Sequence, residues 1–279
     1  MSYAPIMIEV RRALLDALEA LADHRDALVL VGAQAIYLYT GAADVAIATE
    51  TKDSDLAIVP ADLRDDPLLE VAMTRAEFTH DPSKHQPGEW YSREGYPVEL
   101  LVPAALHGGT GRRGARIPPH SKHAARVVPG LEAAAVDYAV HEIRALDPAD
   151  SRALAMRVAS PAALVVAKLF KLGERHDQDA ERLLNKDAHD LYRLLRASEP
   201  QPVTVALAGL LRHDIAGPVT AQALLWARTL CATPTSLIPS MAGQAEALVG
   251  NPAEVAAATW TLVQDLLAGL AALEAAASQ

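Results

Sequence analysis

Hydrophobic and polar positions follow two different patterns in the first half of the chain. Apolar side chains recur at helical spacing from Pro5 to Asp23, and apolar runs at 27–31, 53–59 and 96–102 are typical of buried strands. A short helix is predicted to follow the first run and to end at Gly41. A further helix is predicted over 61–76, and β-like pieces occur within 131–159. This half is therefore predicted to mix helices and strands.

From Ser160 onward the pattern is helical almost throughout. Ser160 and Pro161 form a typical helix start, because serine caps free backbone N–H groups and proline fits the first helical position. We therefore predict an α+β protein with two domains. Residues 1–159 form a mixed-sheet domain, and residues 160–279 form an all-helical domain.

Composition and cysteine usage restrict the class of protein. About half of the 279 residues are hydrophobic, and aromatic residues make up only 4%. Cys231 is the one cysteine, so no disulfide framework exists and a cytoplasmic location is expected. The N-terminal segment does not resemble a secretory signal. Uncharged runs such as 27–43 are shorter than the roughly 20 residues that span a bilayer, so no membrane partner is expected.

Charge is unevenly distributed along the chain. The net charge of −10 argues against broad, non-specific coating of nucleic acid, because neutralisation of phosphates supplies most of that affinity. The segment GRRGARIPPHSKHAAR, from Gly111 to Arg126, nevertheless contains five basic residues and no acid. It is predicted to be a loop, and it forms a local basic segment on an acidic protein.

Three carboxylates of the first half are candidates for one site. Asp53 and Asp55 lie two residues apart in the sequence TKDSDLAI, so on a strand their side chains share a face. Neighbouring carboxylates repel each other unless a cation lies between them, and magnesium prefers such oxygen ligands. Glu99 interrupts an apolar strand and is the natural third ligand. Alternatively, the aspartates cap a turn or face solvent and Glu99 is an exposed strand residue.

A glycine at the start of a helix adds a candidate anion site. Gly32 and Ala33 follow the strand at 27–31 and open the next helix, where free backbone N–H groups can bind a phosphate. The aspartate pair follows about twenty residues later. Together these elements predict one coherent site for a phosphorylated ligand and a metal ion.

The helical half carries a second group of charges. Lys168, Lys171 and Arg175 share one helix face, and Lys186 and Asp190 are spaced to share a face of the next helix. Lys168 lies among apolar residues, so its ammonium group is expected to need an anionic partner. For other basic residues of these helices, we expect an ordinary solvated face; these are Lys171, Arg182 and Arg193.

These residues resemble known families. The order of helix-start glycine, Asp-x-Asp and later carboxylate resembles the nucleotidyltransferase superfamily, although Ala33 stands where that family usually has serine. Two further motifs resemble the AbiEii/MenT-type nucleotidyltransferases, which are toxins of bacterial toxin–antitoxin pairs. The first motif is a lysine followed seven residues later by an arginine, and the second is Lys/Arg-Asp-x-x-Asp-Leu. The matching residues are Lys168, Arg175, Lys186, Asp187, Asp190 and Leu191, and the resemblance covers roughly Ala27 to Leu195. Thr49 replaces an arginine that often precedes the acidic pair.

The resemblance implies a fold, an activity and roles for residues. It implies a nucleotidyltransferase-like mixed-sheet domain and magnesium- or manganese-dependent transfer from a nucleoside triphosphate to a tRNA 3′ end, with a cognate antitoxin as a further partner. The implied metal ligands are Asp53, Asp55 and Glu99, which are catalytic together with Lys168 and Asp190. The implied nucleotide-binding residues are Gly32, Ala33, Lys168 and Lys186. The RNA contacts are then expected from Arg112, Arg113, Arg116 and Lys122.

Two other functions stay open at this point. A small-molecule nucleotidyltransferase would use the same chemistry on a different acceptor, and the acidic net charge favours it. A non-catalytic relative that binds a nucleotide or a protein is favoured by the replacements at Ala33 and Thr49. The histidines form no zinc-binding pattern, and no Gly-x-Ser-x-Gly sequence indicates a serine hydrolase.

Overall fold

The computed structural model of the protein describes residues 4–41, 52–81, 86–109, 113–248 and 250–277. The helices in these ranges are α1 (Pro5–Ala20), α2 (Gly32–Thr40), α3 (Leu69–Arg75), α4 (Pro161–Gln178), α5 (Asn185–Ala197), α6 (Pro200–Leu211), α7 (Gly217–Leu230), α8 (Leu237–Ala245) and α9 (Pro252–Ala277). The strands are β1 (Leu28–Val31), β2 (Ser54–Ile58), β3 (Glu89–Tyr91), β4 (Pro97–Pro103), β5 (Arg126–Val128), β6 (Tyr138–Arg144) and β7 (Ala153–Ala159).

The described strands form one mixed sheet. Its order is β3-β4-β2-β1-β7-β6, and β5 also pairs with β4. The pairs β1–β7, β2–β4 and β4–β5 are parallel, and the pairs β1–β2, β3–β4 and β6–β7 are antiparallel. Strand β1, with the sequence LVLV, is wholly buried between its two neighbours. Its continuous apolar run is therefore the signature of a central strand.

The helices after residue 160 pack on one another. Helix α4 begins at the predicted cap, where the Ser160 hydroxyl accepts a hydrogen bond from the Ala163 N–H (3.1 Å). It packs against α5, α6 and α7, and α9 packs against α5, α6 and α8. A mixed sheet followed by an all-helical region confirms the predicted fold class.

Several predicted elements have different bounds in the structure. Helix α1 ends at Ala20 and continues as a 3₁₀ turn, so the prediction to Asp23 was too long. The predicted helix over 61–76 was wrong in its first half, because Pro67 lacks a backbone donor and α3 begins only after it, at Leu69. Strands β3, β5 and β6 were not predicted individually. Two of them have only three residues and depend on pairing with β4.

Contacts between residues divide the chain into two units. The first comprises Met1–Ala35 and Ala48–Ala159, and the second comprises Ile36–Ile47 and Ser160–Gln279. The first residues of α2 therefore belong to the sheet unit, and its remaining residues belong to the helical unit. The prediction of separate domains at 1–159 and 160–279 stays a prediction.

One described helix is long and apolar enough to cross a membrane. It is α9 from Pro252 to Ala276, and length and composition alone identify it. Core helices of soluble proteins meet the same criteria, so a single helix of this kind is a weak indication. Its buried residues form one stripe along the helix: Val255, Thr259, Val263, Leu266 and Leu270. This stripe packs on α5, α6 and α8, which is the behaviour of a helix in a bundle.

A glycine inside α4 sets how closely α7 approaches. A Cβ atom at Gly173 would overlap the indole ring of Trp226, which also packs edge-on against Phe170 with ring centroids 5.1 Å apart. We expect Gly173→Ala to lower the free energy of unfolding by about 1–3 kcal/mol through overpacking, despite alanine's higher helix propensity. Chemical denaturation measures the change.

Gly209 of α6 is the matched control, since a Cβ there would meet nothing within 4 Å. Gly209→Ala is expected to raise stability by about 0.5–1 kcal/mol. Equal effects of the two substitutions would contradict the close contact between α4 and α7.

Candidate active site

The sheet brings together the three predicted carboxylates. Asp55 lies opposite Glu99 in the parallel register of β2 and β4, so both side chains stand on the same face of the sheet. Asp53 immediately precedes β2. One carboxylate oxygen from each residue lies within 4.8 Å of the others, and all three side chains are half-buried. The pairing of β2 with β4 thus holds the three acids close together.

Gly32 allows Asp55 to take its position. In the antiparallel register of β1 and β2, Asp55 lies opposite Val31, directly before the helix start. Gly32 has a φ of +68°, and a Cβ there would overlap the Asp55 oxygen Oδ2. Glycine is therefore required for its backbone conformation and for the approach of the carboxylate. The Asp55 carboxylate itself lies against Gly32, and phosphate binding by Gly32 and Ala33 stays a prediction.

Arg126 contacts the third carboxylate. Arg126 opens β5, which pairs with β4, and its Nη2 donates a hydrogen bond to Glu99 Oε2. Burial raises the pKa of the Glu99 carboxyl above its usual range. Arg126 opposes that rise, whereas the negative charges of Asp53 and Glu89 add to it. Glu99 therefore lies in a poorly hydrated and mainly negative environment.

The donor set fits a hard divalent cation. Three ionised carboxylates and the guanidinium of Arg126 carry a net charge of −2. Carboxylate oxygens are the ligands that magnesium and manganese prefer. The four side chains thus match a divalent ion in both charge and ligand chemistry.

A second charged cluster lies in the helical unit. Lys168 of α4 donates hydrogen bonds from Nζ to Asp187 Oδ1 and Asp190 Oδ2 of α5, both at 2.8 Å. The Lys168 side chain is only 8% exposed. The structure therefore supplies the anionic partner that the apolar neighbours of Lys168 predict.

Asp187 is the centre of this cluster. Besides Lys168, it accepts hydrogen bonds from Lys171 (2.9 Å) and Arg175 (3.0 Å), and its side chain is 1% exposed. The prediction of a solvated face was thus wrong in part for Lys171, whose ammonium group binds Asp187 although 40% of the side chain is exposed. It was wrong for Arg193, which is buried and donates a hydrogen bond to Thr40 (2.8 Å). Three cations of one helix face meet two carboxylates, which leaves one positive charge in excess.

The cluster shifts the pKa values of its members. Burial disfavours the charged form of Lys168, but attraction to Asp187 and Asp190 outweighs burial and raises its pKa. Burial would likewise raise the pKa of Asp187, but Lys168 and Lys171 outweigh it and lower the pKa well below the usual range.

Lys186, predicted to bind nucleotide, lies half-buried in the first turn of α5, and Asp190 pairs with Lys168.

The basic segment is partly extended rather than a simple loop. Val127 donates to the Arg113 carbonyl and Ala115 to the Ala125 carbonyl, both at 2.9 Å, so the two ends of the segment pair as antiparallel chains. The described predicted RNA contacts are exposed; they are Arg113, Arg116 and Lys122. Arg112 and Thr49 lie outside the described residues.

Two residues beside the carboxylates were missed in the sequence, and Asp187 was named only as part of a motif. Arg126 was counted only as part of the basic segment, and no local pattern shows that β5 pairs beside Glu99. Glu89 lies opposite Glu99 on the unpredicted strand β3. The role of Asp187 could have been inferred from the sequence, because three cations on one helix face indicate an anion on a neighbouring helix.

Sequence comparison identifies the family. A family model with the description Nucleotidyltransferase matches residues 10–209. The chain therefore belongs to the nucleotidyltransferase family and is an enzyme of that class. No curated protein resembles the chain closely enough to count as a match.

Two solved structures are similar at low identity. An antigenic nucleotidyltransferase-like protein from Paracoccidioides brasiliensis is 15% identical, with a TM-score of 0.41, and the match covers 77% of this chain and 92% of that one. A candidate nucleotidyltransferase from H. pylori is 11% identical, with a TM-score of 0.37, and covers 97% of this chain and 99% of that one. The assignment rests on the family match.

The lowered pKa of Asp187 makes a prediction about acid stability. A carboxyl with a lower pKa in the folded protein stabilises it above the unfolded value of about 3.9, and that contribution is lost as the pH falls further. We expect Asp187→Asn to cost about 3 kcal/mol at neutral pH, because it leaves Lys168 with one anionic partner. The difference from the unsubstituted protein should shrink below about pH 4.

Urea denaturation between pH 3 and pH 7 measures both effects. Asp265→Asn, at an exposed position of α9, serves as the control and should change stability little at any pH. A cost at Asp187 that stays constant across this range would contradict the ionised, buried carboxylate.

Proposed function

We propose that the protein transfers a nucleoside monophosphate from a nucleoside triphosphate to an acceptor hydroxyl, with a divalent metal ion at Asp53, Asp55 and Glu99. The observation that carries the proposal is the convergence of these three carboxylates within 4.8 Å in a member of the nucleotidyltransferase family. Three carboxylates this close repel one another, and a divalent cation between them relieves that repulsion. Magnesium or manganese is the proposed ion.

The reaction forms one bond and breaks one bond. The acceptor oxygen bonds to the α-phosphorus, the bond from that phosphorus to the bridging oxygen breaks, and pyrophosphate leaves. When bound, the metal ion would neutralise triphosphate charge and favour ionisation of the acceptor hydroxyl. Asp53 and Asp55 would hold the ion, and a Glu99 oxygen would take the proton of the hydroxyl. Its place beside Asp53 and Asp55 supports that role, because the base must lie next to the ion that the aspartates would hold.

The finer proposal is a cytoplasmic toxin that modifies tRNA 3′ ends and is controlled by an antitoxin protein. Its support is the resemblance of the motifs around Lys168 and Asp190 to AbiEii/MenT-type enzymes, together with the exposed basic side chains of the segment 113–122. That resemblance also assigns Lys168 and Asp190 to activity. Their buried, hydrogen-bonded positions fit residues that need a fixed orientation.

A small-molecule acceptor is the second candidate. The net charge of −10 favours it, because an acidic protein repels the phosphates of RNA. The chemistry at the carboxylates would be the same for either acceptor. The nature of the acceptor therefore has to be tested directly.

Metal and nucleotide binding should depend on Asp53. Manganese with a nucleoside triphosphate at about 100 times its dissociation constant should stabilise the protein by about 2.7 kcal/mol, because the ligand binds only the folded state. Asp53→Ala should abolish that stabilisation by removing a ligand. Thermal denaturation with and without manganese measures it.

Asp65→Ala removes an exposed acid of the same unit and should leave the stabilisation intact. If both variants respond to manganese and nucleotide as the unsubstituted protein does, the metal site lies elsewhere.

The acceptor can be identified by labelling. Protein incubated with total tRNA, manganese and labelled nucleoside triphosphates should label tRNA, and the family resemblance favours a pyrimidine donor. Asp55→Ala and Lys168→Ala should each reduce the rate at least a hundredfold, since loss of a charged contact to a transition state costs a few kcal/mol. Circular dichroism should show that both variants remain folded.

A variant with four neutral substitutions separates RNA binding from chemistry. Replacing Arg112, Arg113, Arg116 and Lys122 by glutamine should weaken tRNA binding and flatten its salt dependence by about one logarithmic unit per lost phosphate contact. Stabilisation by nucleotide should persist. Transfer to a small alcohol but not to tRNA would instead support the second candidate, and triphosphate binding without any transfer would support a non-catalytic relative.

A further inference from the structure

Arg126 is a cation that the structure places against Glu99, one of the three carboxylates. We propose that Arg126 is an exchangeable counter-ion of this site. It holds Glu99 when no metal ion is present, and it competes with a divalent cation for that carboxylate. This inference rests on the proposed metal site, and it adds a residue that sets how tightly the metal ion is bound.

The strand register places Arg126 and Glu99 on the same face of the sheet. Arg126 lies opposite Leu101 in the pairing of β4 with β5, and Leu101 is two residues from Glu99. Side chains two residues apart on a strand share a face. On the other side of β4, Asp55 lies directly opposite Glu99. Glu99 is therefore flanked by a carboxylate on one strand and by a guanidinium on another.

The ion pair is shielded from solvent. The side chains of Arg126 and Glu99 are 27% and 14% exposed, whereas most ion pairs on protein surfaces are open to water and contribute little. The strength of a shielded ion pair depends strongly on the charges around it, because little water screens them. Here those charges are the negative groups of Asp53 and Glu89. Arg126 therefore offsets repulsion that the sheet pairing would otherwise leave among the acids.

The hydrogen bonding of Arg126 is incomplete. Its Nε atom is buried, and the described structure gives it no hydrogen-bond partner. Buried donors in native proteins are nearly always satisfied, so an unsatisfied one in a candidate active site calls for an explanation. A guanidinium that changes partners when the site fills would account for it. Release from Glu99 would free the guanidinium for another acceptor.

A metal ion and Arg126 make competing demands on Glu99. An ion held by all three carboxylates takes an oxygen of Glu99, and its two positive charges repel the nearby guanidinium. Removing the charge of Arg126 should therefore tighten metal binding by roughly tenfold, the effect of one nearby unit charge in a well-screened environment. The same removal should lower the stability of the metal-free protein, because the acids lose their counter-ion.

The test uses manganese alone, without nucleotide, titrated into the full chain by calorimetry. Arg126→Gln should bind manganese about tenfold more tightly than the unsubstituted protein and should melt at a lower temperature without metal. Arg126→Lys keeps the charge and should bind manganese within about threefold of the unsubstituted protein. Arg93→Gln is the matched control, since Arg93 forms an exposed pair with Glu77 and should not affect manganese binding.

Each outcome decides the inference. Tighter binding by Arg126→Gln with little change in the lysine and Arg93 variants supports it. Unchanged or weaker binding, or equal tightening by Arg126→Lys, overturns it. If Arg126→Gln is unfolded without metal, recovery of the fold on addition of manganese supports the exchange of counter-ions, and failure to recover overturns it.

Asp53→Asn separates this inference from the proposed function. If manganese does not bind the unsubstituted protein, or binds Asp53→Asn equally well, the proposed metal site is wrong. If binding depends on Asp53 and Arg126→Gln does not tighten it, only the role of Arg126 is wrong.

Discussion

Repulsion among carboxylates held by neighbouring strands is the constraint on which this structure depends. The parallel register of β2 and β4 fixes Asp55 beside Glu99, and no attraction between those side chains favours the arrangement. The energy comes from backbone pairing and from the opposite face of the sheet, where Leu56 and Leu100 lie opposite each other, fully buried. Burial of the apolar face and pairing of the strands thus hold together carboxylates that repel each other on the other face of the sheet.

The charged cluster of the sheet unit and the charged cluster of the helical unit have opposite net charges. In the sheet unit, three carboxylates lie together with Arg126 against one of them, and glycine at position 32 lets Asp55 lie against the start of a helix. In the cluster of the helical unit, three cations meet two acids, and Asp187 binds all three cations at distances of 2.8 to 3.0 Å. Unbalanced charge is costly in partly buried places and is common at sites that take charged ligands. Both clusters therefore have the charge pattern that such sites share.

Part of the candidate site can be predicted from the sequence, and the rest depends on how strands and helices pack. The shared face of Asp53 and Asp55 follows from their spacing alone, and Glu99 is visible because an acid rarely interrupts an apolar strand. Arg126 could not be assigned, since its contact depends on which strand β5 pairs with, and that pairing is set by the whole sheet. Helical spacing likewise shows which face carries Asp187 but not which helix packs on it. Alternation of elements predicts the fold class, whereas short edge strands depend on their neighbours.

The division of α2 between two units has a consequence for synthesis of the chain. Thr40 accepts a hydrogen bond from Arg193, which lies 153 residues later. At about 5–20 residues per second, the ribosome completes that partner roughly 8–30 s after α2 has been made. During that interval Ile36, which is fully buried in the folded protein and belongs to the helical unit, is present without the rest of that unit. A protein expressed from residue 160 onward would lack Ile36 and the following residues of α2, which belong to the helical unit. The helical unit therefore depends on a segment that is encoded far upstream of it.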